Sequence, residues 1–145
     1  MTTIDELLAK EAAAWAALEA AVESLPPERR HQGDVVPGWT AQVLLWHCIY
    51  WAEYVATVVE AAAAGDEGPA DEDWDAVNEQ VARDAAAMSW DDVVAGGERV
   101  RARVRDAIAS LRPEQLTEDL AKEIADETAD HYEEHAAEIA AFAAS

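Results

Sequence analysis

A chain of 145 residues is long enough to bury one hydrophobic core without disulfides, and 51% of it is apolar. A formal net charge of -21 excludes partners that need a basic surface, nucleic-acid phosphates and anionic membranes among them. Alanine dominates the apolar fraction and β-branched runs are few, so helix is favoured over sheet and an all-α fold is expected.

The acidic excess reads as a solvated, self-repelling surface. Cys48 is the only cysteine, so no intramolecular disulfide can form. No charged-then-apolar leader opens the chain, and no apolar run approaches the roughly 18 to 20 residues that span a bilayer. A cytoplasmic protein with a single domain over residues 1–145 is expected.

Thr3-Ile4-Asp5-Glu6 has the spacing of a capping box, and Ile4, Leu7, Leu8, Trp15, Leu18 and Val22 recur at helical period until Pro26-Pro27. A polar connection through Arg29, Arg30 and His31 closes with Val36-Pro37-Gly38-Trp39. Thr40 then caps a second helix running to about Ala64, with Gly65 as its stop. Trp46, Tyr50, Trp51 and Tyr54 crowd its centre around His47.

The acidic stretch from Gly65 to Asp73 contains Gly68-Pro69 and reads as a surface crossover. A helix follows from about Asp73 to Met88, and Ser89-Trp90-Asp91-Asp92 starts or bends the next, which continues to Leu111 before Pro113. A last helix is expected from roughly Glu118 to Ala143. Long helices without a strand pattern imply a four-helix bundle, and bundles place metal sites on inward-facing side chains. Arg83, Arg99, Arg101, Arg103 and Arg105 read as a solvated face paired with nearby acids. Arg83 is also a candidate cation for an anionic thiol cofactor.

His131-Tyr132-Glu133-Glu134-His135 places two imidazoles four residues apart, on one face of a helix, where they can share a metal ion. The spacing matches the zinc-protease motif, but Tyr132 stands where that motif has its glutamate base, so peptidase chemistry is excluded. Glu134 and Glu138 are candidate partners for the ligand rings. His47 reads either as a third ligand or as a histidine packed among Trp46 and Trp51. Cys48, one residue on, points about 100° away around the helix and reads as core.

The run Val36-Pro37-Gly38-Trp39-Thr40, then Val43-Leu44-Leu45-Trp46-His47 and Trp51, resembles the second-helix signature of the DinB-like superfamily. So does His131-x-x-x-His135-x-x-x-Ile139 in the last helix. The resemblance covers essentially the whole chain. It implies a four-helix bundle with a long crossover between helices two and three, and a divalent metal, zinc or nickel, held by His47, His131 and His135.

Relatives in that superfamily include the N-terminal domain of mycothiol-dependent maleylpyruvate isomerase, bacillithiol transferases and proteins that inactivate colibactin. The resemblance implies metal-dependent transfer of a low-molecular-weight thiol, mycothiol or similar, to a small electrophile in detoxification or stress response. A metal-dependent hydrolase or toxin-inactivating protein, or a binding module that keeps the metal, is the alternative. It also suggests a homodimer. Around His47, Tyr50 and Trp51 are candidate substrate-binding residues, as is Asn78, which reaches the site from the third helix or sits in solvent. A pocket of that kind suits a small hydrophobic electrophile.

Overall fold

The computed structural model describes residues 1–145 and contains six α-helices and no strand. Five of the six helices begin where a side chain supplies a cap. In α1 (Ile4–Glu23) the capping box forms in full: Glu6 N–H donates to Thr3 Oγ1 at 3.1 Å, and Thr3 N–H donates to Glu6 Oε2 at 3.0 Å. Thr40 caps α2 (Ala41–Ala64), and Gly65, at φ 75°, stops it in the left-handed region. Asp73 caps α3 (Trp74–Ala86) and Ser89 caps α4 (Trp90–Ala109).

Thr117 caps α5 (Glu118–Glu127), but the expected single last helix does not form. It breaks at Thr128 (φ -119°, ψ -95°), and α6 (Ala129–Ala143) follows. The Thr128 hydroxyl donates to the Ile124 carbonyl at 2.6 Å, the back-bonding that bends helices at Ser and Thr. That bend lies one turn before His131.

The bundle is built on two closely packed pairs, α1 with α6 and α2 with α4, while α3 lies along α2 after the crossover of residues 65–73. Two apolar clusters fill it. One gathers Trp15, Leu18, Leu44, Ile49, Tyr132 and Ile139, and the other Val55, Val59, Ile108, Leu120 and Ile124. Gly96 allows α4 to approach α2, because a Cβ there would fall 2.6 Å from Trp46 Cζ3. No helix is long and apolar enough to cross a membrane.

The arginine face departs from its expected solvated character. Arg99 and Arg103 do pair with Glu53 and Glu60 near the surface. Arg101 and Arg105, however, converge on Glu11 of α1, which is fully buried. Arg101 grips the carboxylate with two hydrogen bonds of 2.9 and 2.7 Å, and Arg105 adds one of 2.8 Å. A buried carboxylate is tolerated only with such satisfaction, and these bonds tie α1 to α4. Arg83 donates to Gln80 on its own helix.

Candidate metal centre

α2 supplies His47, 7% exposed, between the buried side chains of Leu44 and Cys48. α6 supplies His131 and His135, one turn apart and half-buried on the face turned towards α2. The Nε2 atoms of His131 and His47 lie 3.1 Å apart, and those of His135 and His131 lie 3.0 Å apart. Ligand atoms from all three rings fall within 4.8 Å of one another. Two nitrogens bound at about 2.0–2.1 Å to one ion, at bond angles of about 90–110°, stand roughly 2.8–3.4 Å apart. The three rings therefore converge at a separation one ion could bridge.

Two of the rings, those of His47 and His131, are also held in the protonation state a ligand needs. Burial, followed by the charges His131 and His135 would carry, lowers the pKa of His47 to about 3. Burial, followed by His135, lowers that of His131 to about 4. Both imidazoles are neutral at physiological pH, with lone pairs available. His135 donates from Nδ1 to Glu138 Oε1, which leaves its Nε2 lone pair facing the other two rings. The Nδ1 atoms of His47 and His131 are buried without a protein partner, so only His135 has its tautomer fixed by a neighbour. Of the two candidate carboxylates, Glu138 makes this contact and Glu134 is exposed.

Cys48 does not join the three. Its side chain is fully buried in the apolar core, and burial, followed by the charges of Glu134 and Glu138, pushes its thiol well above the ordinary range. Tyr132, between the two ligand positions, is fully buried and packs edge-on against Trp15 at 5.2 Å between centroids. Burial and the nearby Glu11 charge keep its phenol protonated. The residue standing in place of the protease glutamate thus faces the core, away from any reacting centre. His31 lies exposed in the connection before α2.

The ring that lies on His47 is that of Trp39, 4.8 Å away between centroids. Sequence reasoning had not counted it among the site residues. Its signal was Val36-Pro37-Gly38-Trp39: Gly38 takes φ 82°, Val35 N–H donates to the Trp39 carbonyl at 2.9 Å, and the tight turn holds the indole over the imidazole. Trp51 and Asn78 are brought together, because the indole Nε1–H donates to Asn78 Oδ1 at 3.0 Å. Asn78 therefore braces Trp51. Trp51 also stacks edge-on with Tyr50, Tyr54 and Trp74, forming an aromatic seam between α2 and α3. Tyr50 is half-buried on that seam, and burial, followed by Glu72 and Glu53, raises its phenol pKa.

A convergent set of three imidazoles, with one oriented by a carboxylate and no fourth protein ligand, fits a divalent ion with an open coordination position. No curated protein and no solved structure matches the chain. The sequence profile of the DinB superfamily matches residues 12–144, which includes both helices that carry the histidines, and the chain belongs to that superfamily.

Proposed function

We propose that the chain is a metal-dependent thiol transferase that joins a low-molecular-weight thiol, mycothiol or a similar compound, to a small electrophile in cytoplasmic detoxification or stress response. The observation that supports this most directly is the pairing of three convergent imidazoles with a lone cysteine turned into the core. Sulfur chemistry at this centre has to use a thiol from outside the chain. A divalent ion, zinc or nickel, held by His47, His131 and His135 supplies an open position and the Lewis acidity that lowers the pKa of a bound thiol.

The chain's own residues set the geometry. Glu138 holds the His135 ring through Nδ1, Trp39 covers one side of His47, and Asn78 fixes the Trp51 indole. In the net reaction the sulfur bonds to the electrophilic carbon, the thiol proton passes to solvent and the leaving group departs with the electron pair of the broken bond. Apolar aromatic walls suit a small hydrophobic electrophile.

The test is to incubate metal-loaded protein with a generic alkylating electrophile and a panel of mycothiol, bacillithiol, glutathione and cysteine. Metal-dependent conjugate formation that disappears in His131→Ala is expected. A product carrying water-derived oxygen, with no thiol consumed, would replace transfer by hydrolysis. A homodimer formed by helix packing belongs to the same reading, and a single-chain mass by light scattering would remove it.

A further inference from the structure

The seam between α1 and α4 is looser than those between α1 and α6 or α2 and α4. Along it lies an open groove of about 670 Å³ whose floor is formed by Trp15, Leu45, Ile49 and Val93. Gly97 lets that floor lie close under α4, since a Cβ there would stand 3.1 Å from Ile49 Cδ1 and 3.4 Å from Trp15 Cη2. None of the three convergent histidines lines the groove.

Charge is distributed unevenly around it. Glu19, Glu23 and Glu98 stand exposed on the rim, and Arg101 and Arg105 line one end but are committed to Glu11. At the other end, about three to four turns back along α4, Arg30 lies 4.9 Å over the ring of Trp90. Every other arginine donates at least one hydrogen bond within the protein. Arg30 donates none and forms no ion pair, and its Nε is buried without a partner. In a chain with 31 acidic residues against 10 basic ones, an arginine without a carboxylate is not explained by scarcity of acids.

We propose that this groove binds a small apolar carboxylic acid, its carboxylate held by Arg30 and its hydrocarbon laid over the accessible edges of Trp15 and Leu45 and against the exposed Val94. The guanidinium offers paired donors that match a carboxylate, and its stacking on Trp90 fixes their direction. The floor removes the hydrocarbon from water. The rim carboxylates oppose any anion, so the carboxylate is confined to the Arg30 end. Glu23, at the end of α1, is the opposing charge at that end.

Decanoate is the probe, titrated below its micelle concentration into the full chain at pH 7.5, with decanol and decylammonium as neutral and cationic probes of equal length. Calorimetry gives stoichiometry, and the summed fluorescence of the six tryptophans, to which Trp15 and Trp90 contribute, follows binding. One decanoate per chain is expected, bound about tenfold more tightly than either control, as for a charge-assisted hydrogen bond. Arg30→Gln should remove that preference, and Glu23→Gln should strengthen decanoate binding. Circular dichroism and the thermal midpoint verify that both variants fold. Absence of saturable decanoate binding overturns the proposal, as does equal binding of decanol or an unchanged decanoate affinity in folded Arg30→Gln.

Discussion

His135 and Glu138, three residues apart on α6, are joined by a hydrogen bond from the imidazole Nδ1 to the carboxylate Oε1. This contact fixes which nitrogen of His135 carries its proton and turns the Nε2 lone pair towards His131 and His47. Removing it in Glu138→Ala should weaken metal affinity by about 10- to 100-fold while leaving the helix intact, because alanine is a good helix former. Competition against a chromophoric chelator measures the loss. Unchanged affinity would mean that the carboxylate does not orient the ring.

Cys48 should be dispensable for both metal binding and thiol transfer. Its burial and raised pKa keep it a neutral core side chain. Cys48→Ala should cost roughly 1 kcal/mol of stability for the lost sulfur contacts and leave metal stoichiometry at the wild-type value. A thiol-reactive dye should label the native protein only as it unfolds. Rapid labelling of the folded chain would contradict the placement.

Glu11 anchors Arg101 and Arg105 at the α1/α4 seam. Glu11→Ala leaves two guanidinium groups without their carboxylate, and because both arginines are partly exposed the loss should be roughly 3 kcal/mol, the low end for breaking a buried pair. Urea unfolding monitored by circular dichroism reads it as a lowered midpoint with little change in slope. An unchanged midpoint would show that the pair contributes nothing net.

Acid should destabilise the metal-free protein through the histidines. His47 and His131 titrate near 3 and 4 when folded, below the ordinary value of 6.5 in the unfolded chain. Between those limits the unfolded state binds more protons, so stability falls as pH falls from about 6.5 towards 3, and the two groups add no pH dependence above that window. Thermal midpoints of chelator-treated wild type and His47→Gln across this range test the sign. The variant should show a shallower fall, and an equally steep one would remove His47 as a contributor.

Most helix boundaries were legible because they are local: Thr3, Thr40, Ser89, Thr117 and Gly65 act within one turn of themselves. The break at Thr128 was not, because a threonine inside a helical pattern bends the backbone only when its hydroxyl turns back to the preceding carbonyl. The His131/His135 pair could be read from its four-residue spacing, whereas assigning His47 needed the packing of α2 against α6, or a resemblance that stood in for it. Asn78 and Trp51 were both singled out, but their mutual hydrogen bond depends on how α3 lies along α2. Nothing in the sequence singles out Glu11. Its partners lie 90 and 94 residues away, beyond any periodicity argument.

If His47, His131 and His135 together hold one divalent ion, all three are needed for binding and His31 is not. Calorimetric titration of chelator-stripped protein with zinc and with nickel, run in parallel on wild type, His47→Ala, His131→Ala, His135→Ala and His31→Ala, addresses this most directly. One ion per chain is expected for wild type and for His31→Ala, with binding lost or severely weakened in each of the other three while circular dichroism shows intact helices. Full occupancy in His135→Ala, or its loss in His31→Ala, would contradict the assignment.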